Sequence, residues 1–155
     1  MSHQPVSVAI AILYRHGQFL MQLRDHIPGI LYPGHWGLFG GHIEAGETPE
    51  IAVKRELLEE IGYIPPVVTK FGCYSDIAAT AILADTEAIR HVFHAALTVE
   101  VDQLVLNEGW DLGLLTPEQI IQGECYSSKA GTTQPLGTPH QKILLDFINQ
   151  TSLYL

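Results

Sequence analysis

Residues 41–63, GHIEAGETPEIAVKRELLEEIGY, contain the pattern that decides the fold. Their second half predicts a helix over residues 48–61. Thr48 is a suitable N-cap, Pro49 suits the first helical position, and Gly62 suits the C-terminal cap. A clear start and stop therefore bracket a charged helix that follows a glycine-containing loop.

Three glutamates of this helix point to one side. At about 100° per residue, Glu56, Glu59 and Glu60 fall within an arc about 100° wide. The apolar residues fall on the opposite arc, which we expect to be the buried face: Ile51, Leu57, Leu58 and Ile61. Clustered carboxylates repel one another, and a bound divalent cation relieves that repulsion. Oxygen-only ligands favour Mg²⁺ or Mn²⁺ over zinc, and a solvated helix face is the alternative interpretation.

The loop before the helix supports the metal interpretation. Gly40 and Gly41 permit close backbone approach and leave their carbonyls open, and Gly46 allows a tight turn. Glu47 and Arg55 are spaced to brace the loop against the helix through a charge-assisted hydrogen bond.

This segment resembles the Nudix box, G-x5-E-x7-R-E-U-x-E-E-x-G-U, where U is a bulky aliphatic residue. The pattern is matched at its spacing by Gly41, Glu47, Arg55, Glu56, Leu57, Glu59, Glu60 and Gly62. Tyr63 departs from the final U, and Phe39 replaces a proline that often precedes the glycine pair. Tyr63 is apolar enough to keep the packing role of the aliphatic residue.

The resemblance implies an α/β fold, a Nudix-type α/β/α sandwich around a mixed β-sheet, with residues 1–155 as one domain. It implies hydrolysis of the pyrophosphate bond of a nucleoside diphosphate linked to another group, with Mg²⁺ or Mn²⁺ as the cofactor. The predicted metal ligands are the backbone of the glycine pair and the box carboxylates: Gly40, Gly41, Glu56, Glu59 and Glu60. Glu47 and Arg55 match the bracing pair, and Glu47 is a candidate to reach a metal-bound water. The general base stays open among Glu56, Glu59 and a glutamate of a later loop.

Residues outside the box complete the predicted site. Glu108 is the candidate for a further metal ligand in a late loop, with Asp111 in reserve and an ordinary solvated carboxylate as the alternative. His42 and Arg24 are candidates for phosphate contact, against an exposed histidine and a surface ion pair. Aromatic residues near the loop are candidates to stack on a base or to pack in the core: Phe39, Trp36 and Tyr32.

Composition limits the partners. Eight basic against seventeen acidic residues give a net charge of -9, which argues against binding of a nucleic-acid polymer. If the substrate carries phosphates, the excess of carboxylates indicates that a cation mediates the contact. The resemblance implies that this substrate is a small nucleotide or nucleotide sugar. Cys73 and Cys125 exclude a disulfide scaffold and are expected to be buried free thiols. No apolar run is long enough for a membrane span, and the N-terminus does not resemble a signal peptide. A cytoplasmic location is therefore expected, and a homodimer is a further expectation because dimers are common among Nudix proteins.

The remaining chain predicts further elements. Residues 6–14 and 19–23 form a hairpin, residues 67–74 and 91–101 are strands, and residues 78–84 are ambiguous. Short helices follow over 116–122 and 138–150, and the Gly-, Ser- and Thr-rich residues 123–138 are expected to form a mobile loop.

The sequence narrows the range of candidate substrates without identifying one. The proline and tyrosine that mark many ADP-ribose and dinucleoside polyphosphate enzymes of the family are absent from residues 78–81. A nucleoside triphosphate, including an oxidised one, or a nucleotide sugar remains. One alternative is a non-catalytic nucleotide-binding module, but such modules usually have a degenerate box and this box is intact. The other is an isopentenyl diphosphate isomerase, which normally needs a catalytic cysteine upstream of the box, whereas both cysteines here lie downstream.

Overall fold

The computed structural model describes residues 5–27, 32–78 and 86–151. Of the segment 78–84, which the sequence left ambiguous, residues 79–84 lie outside these ranges. Within them the strands are β1 (Val6–Arg15), β2 (Gln18–Leu23), β3 (Trp36–Gly37), β4 (Phe39–His42), β5 (Thr69–Ala78), β6 (Thr86–Ala96), β7 (Asp111–Leu115), β8 (Glu124–Ser127) and β9 (Thr132–Pro135). The helices are α1 (Pro49–Ile61), α2 (Pro117–Gln122) and α3 (Thr138–Gln150), with a 3-10 turn over Val101–Gln103.

The main sheet is mixed. The first strand, β1, pairs in parallel with β6 and antiparallel with both β2 and β4. The sheet extends through β5 on one side and through β3 and β7 on the other. The chain therefore leaves β3, which pairs with β2, and continues in β4, which pairs with β1.

Helices cover both faces of this sheet. Ala52, Val53 and Leu57 of α1 pack on alternate residues of β1, such as Ala11. On the other face Phe147 of α3 packs with Ile120 of α2 and with the intervening β1 residues. The predicted α/β/α sandwich around a mixed sheet is confirmed.

The box helix begins and ends as predicted. Thr48 Oγ1 accepts the Ile51 N–H at 3.2 Å, and Gly62 adopts a left-handed φ of 67° at the C-terminal cap. The predicted buried face was partly wrong, because Ile51 and Leu58 are 54% and 53% exposed. The helix is rotated so that Ala52 and Val53 join the core. Glu60, expected among the exposed glutamates, is therefore only 4% exposed.

The expected mobile loop over residues 123–138 was also wrong. It contains the antiparallel hairpin β8–β9, in which Cys125 lies opposite Gln134. Gly131, with φ 72°, turns the chain between the strands, and the Ser127 hydroxyl donates to Asp111 Oδ2 at 2.6 Å. These polar strands lack the apolar alternation by which a strand is recognised.

Smaller differences concern strand ends and thiols. The strand expected over residues 91–101 begins earlier and ends at Ala96, because the chain turns into the 3-10 helix at Val101–Gln103. Cys73 is exposed on β5, and Cys125 is half-buried, so the expectation of two buried thiols was wrong. None of the helices formed by the described residues has the length and hydropathy to cross a bilayer.

Candidate active site

Arg55 joins the loop to the box helix. Its Nε donates to Glu47 Oε2 at 2.7 Å and its Nη2 to Glu47 Oε1 at 2.9 Å, so the pair is bidentate. Nη2 also donates to the His42 carbonyl at 3.0 Å. The hydrogen bonds between the two side chains raise the pKa of Arg55 and lower that of Glu47, and the ion pair suggested by the sequence is present.

The Glu56 carboxylate lies against Gly41. A β-carbon at Gly41 would overlap that carboxylate, so only glycine leaves the space it occupies. Arg55 Nη1 donates to Glu56 Oε1 at 3.0 Å. Burial raises the pKa of Glu56, the Arg55 hydrogen bond and charge lower it, and the charges of Glu59 and Glu108 raise it further. Several carboxylates thus act electrostatically on one position.

Glu60 is the buried carboxyl of the site. Its Oε1 accepts the Gly40 N–H at 3.0 Å and its Oε2 accepts from Gln22 Nε2 at 3.1 Å. Burial outweighs these bonds and raises the pKa of Glu60 to about 8, with added repulsion from Glu56 and Glu108. Gln22 was not among the residues predicted from the sequence, and its one signal there is that it is polar within the apolar strand β2.

The segment after the 3-10 turn is attached to the end of α1. Asn107 donates from Nδ2 to the Glu59 carbonyl at 2.8 Å and from its backbone N–H to the Glu60 carbonyl at 2.9 Å. Asn107, also missed, thereby holds Glu108 beside the box carboxylates. Glu59 itself is exposed and lies 3.4 Å from Arg55 Nη1.

Arg24 faces the same carboxylates. Burial lowers the pKa of Arg24, while Glu60, Asp25 and Glu108 raise it through their charges. Its Nε is buried and has no hydrogen-bond partner among the described residues. A half-buried guanidinium with an unbonded Nε beside acidic groups is suited to an anionic ligand.

Other predicted residues lie elsewhere. Phe39 is fully buried in the core against α1, so the prediction that it binds substrate is not supported: its ring has no surface for a base. Trp36 is likewise in the core, and its indole donates to the Cys125 carbonyl at 3.0 Å. The His42 side chain is exposed at the end of β4. Asp111 accepts from Ser127 and from the Leu112 N–H, so it serves the hairpin.

The donor set fits a hard divalent cation. Glu56, Glu59 and Glu60 offer only oxygen, and Glu108 is close enough to influence two of them. Across residues 5–27, 32–78 and 86–151, however, no three His, Cys, Asp or Glu side chains are already gathered around one metal position. Arg55 donates to Glu56 and Gln22 donates to Glu60, so two of these carboxylates are bonded to other side chains.

Comparison with known proteins gives curated relatives for part of the chain. An ADP-ribose pyrophosphatase of Methanocaldococcus jannaschii is 38% identical over 71 residues, covering 46% of this chain and 40% of the relative. A nucleoside triphosphatase NudI of Enterobacter sp. (strain 638) is 38% identical over 56 residues, covering 36% and 39%. The matched segment thus spans about two fifths of these relatives.

A solved structure extends the likeness to the whole fold. The MutT NUDIX hydrolase from Burkholderia pseudomallei is 25% identical, with a TM-score of 0.70 over 93% of this chain and 98% of that one. The family model of the NUDIX domain matches residues 3–131. The box, the sandwich and the clustered carboxylates agree with this match, and the chain belongs to the NUDIX domain family.

Proposed function

We propose that this protein hydrolyses the pyrophosphate bond of a nucleoside diphosphate linked to another group, and that it requires a divalent cation. The observation that carries the proposal is the Glu56 carboxylate seated on Gly41, with Glu60 bonded to the neighbouring Gly40 N–H. Two carboxylates thus lie against the two neighbouring glycines of β4. A solvated helix face would not need the close contact between Gly41 and Glu56.

Mg²⁺ or Mn²⁺ would be held by the carboxylates of Glu56, Glu59, Glu60 and Glu108 and by the backbone of Gly40 and Gly41. When bound, such an ion neutralises phosphate charge and lowers the pKa of a coordinated water. Glu47 and Arg55 keep the loop against α1, which fixes the direction in which Glu56 points.

The protein's own groups supply binding and proton transfer. Arg24 offers its guanidinium to a phosphate oxygen, and His42, exposed at the end of β4, is a second candidate. A carboxylate accepts the proton of the attacking water, and the candidates are Glu56, Glu59 and Glu108. In-line displacement at phosphorus then yields two phosphorylated products.

We propose a nucleoside triphosphate, including an oxidised one, or a nucleotide sugar as the substrate. The names of the partial relatives include both a nucleoside triphosphatase and an ADP-ribose pyrophosphatase, so they support the nucleotide class rather than one member. The absence of the ADP-ribose marker proline from residues 78–81 argues against ADP-ribose as the substrate and leaves both of these classes open. A cytoplasmic location agrees with the two free cysteines.

The test is a panel of nucleotides and nucleotide sugars, incubated with Mg²⁺, with products identified by mass spectrometry. We expect release of a nucleoside monophosphate from at least one compound, and a fall in kcat of at least about a hundredfold in Glu59→Gln. Glu118→Gln, at an exposed position of α2, is the matched control and should remain active. Binding of a nucleotide without turnover would instead support the non-catalytic module.

A further inference from the structure

Leu38 lies where the chain changes strand partner. Gly37 of β3 pairs with Gln22 of β2, whereas Phe39 of β4 pairs with Ala11 of β1. The Leu38 N–H, between the two pairings, donates to His140 Nδ1 of α3 at 2.9 Å. Because Leu38 is only 3% exposed, loss of this acceptor would leave a buried donor unsatisfied.

The His140 ring is seated between two glycines. A β-carbon at Gly37 would lie 3.7 Å from the ring, and one at Gly137 would lie 3.4 Å from it. The Gly137 N–H also donates to the Trp36 carbonyl at 2.9 Å. The start of α3 is thus bonded to the chain on both sides of Gly37, through Trp36 and through Leu38.

The bond requires a neutral imidazole. Since Nδ1 accepts the Leu38 N–H, the ring proton resides on Nε2. Burial, together with the positive charges of Arg90 and Arg24, lowers the pKa of His140 to about 3. The acceptor is therefore maintained at neutral pH.

Two layers of the sandwich hold the backbone that leads into the site. His140 from α3 accepts the Leu38 N–H, and Glu60 from α1 accepts the Gly40 N–H at 3.0 Å. Phe39, fully buried between them, anchors the intervening residue in the core. A shift at Leu38 would therefore be transmitted to Gly40 and Gly41.

We propose that His140 is a positioning residue for the hydrolysis, setting through Leu38 the backbone that presents Gly40 and Gly41 to the cation and phosphates. The proposal rests on the proposed function. His140 acts through the backbone and does not touch the reacting atoms. Small misplacement of groups around a reacting centre lowers the rate more than it lowers binding.

The experiment compares three variants of His140 with one of its neighbour. His140→Leu removes the acceptor, His140→Asn places an oxygen near the Nδ1 position, and His140→Gln places one near Nε2. Gln141→Leu is the matched control, because Gln141 Nε2 donates to the Ile120 carbonyl and so joins α3 to α2 without reaching Leu38. For each protein we would measure Tm, kcat and KM for the nucleotide, and Mn²⁺ affinity without nucleotide.

We expect His140→Leu to lower kcat at least about tenfold with KM changed less than about twofold, and to weaken Mn²⁺ binding. His140→Asn should recover most of both losses and His140→Gln should not. Gln141→Leu should lower Tm while kcat and Mn²⁺ affinity stay near the wild-type values.

Equal losses in His140→Asn and His140→Gln, or a loss of kcat in Gln141→Leu that follows its Tm, would overturn the proposal in favour of general stabilisation. If His140→Leu does not fold, the comparison of Asn with Gln decides. If the wild type hydrolyses no nucleotide, the proposed function fails, and Mn²⁺ affinity then decides: values unchanged in the His140 variants overturn the positioning role.

Discussion

The Glu56 carboxylate occupies the space that a side chain at Gly41 would fill. Gly41 does not adopt a left-handed φ, so glycine is required here because there is no room for a side chain and not because of the backbone conformation. The contact explains why a box that begins with glycine also contains this glutamate fifteen residues later.

Gly41→Ala should therefore inactivate the protein without unfolding it. The added methyl group displaces Glu56, and we expect kcat to fall at least about tenfold, equivalent to about 1.4 kcal/mol of barrier. Gly113→Ala is the control, since a β-carbon there meets no atom within 4 Å. Steady-state kinetics and circular dichroism check both variants, and an active, folded Gly41→Ala protein would be inconsistent with the contact.

Glu60→Gln should stabilise the metal-free protein at alkaline pH. Its pKa rises from 4.5 to about 8 on folding, so the folded state retains a proton that the unfolded state loses between these values. Wild-type stability relative to Glu60→Gln should thus fall as pH rises through this window, by at most about 1.4 kcal/mol per pH unit. Denaturant unfolding in chelator checks this, and parallel pH profiles for the two proteins would contradict it.

Glu108→Gln tests the predicted metal ligand that lies farthest from the box in sequence. If Glu108 binds a cation or accepts a proton, kcat should fall at least about tenfold while nucleotide affinity changes much less. Asp111→Asn should chiefly weaken the attachment of the β8–β9 hairpin, because Asp111 accepts from Ser127. A silent Glu108→Gln beside an impaired, stably folded Asp111→Asn would move the assignment to Asp111.

His140 predicts a difference in acid stability. Its pKa falls from 6.5 to about 3 on folding, so the unfolded state binds more protons between these values. The stability due to neutral His140 is present above pH 6.5 and is lost as pH falls towards 3. Wild type should lose up to about 1.4 kcal/mol per pH unit more than His140→Asn in this window. Equal acid sensitivity in urea titrations would show that His140 is not held neutral.

Local signals were the part of the fold that sequence predicted well. The Thr48 cap, Pro49 and Gly62 act within one helix, so the bounds of α1 follow from neighbouring residues. Which face of that helix is buried does not follow from neighbouring residues, because Ile51 and Leu58 are as apolar as the residues that become buried. The buried Glu60 accepts hydrogen bonds from Gln22 and Gly40, and Gln22 lies 38 residues away.

Contacts between residues far apart in sequence also limit prediction of the site. Glu47 and Arg55 pair within the box, and their spacing was sufficient to suggest it. His140 meets Leu38 across 102 residues, and no pattern in either segment indicates that bond. Phe39 was a candidate for stacking on a base because the sequence does not show whether an aromatic residue beside a glycine loop faces a ligand or the core.

The most direct test of the central claim is hydrolysis in ¹⁸O-labelled water, using the best nucleotide of the panel, with Mg²⁺ and with excess chelator. We predict that one phosphorylated product gains a single ¹⁸O from water, and that turnover stops in chelator and returns when Mg²⁺ is added. Full turnover in excess chelator would contradict the cation requirement, and products without ¹⁸O would contradict attack by water at phosphorus.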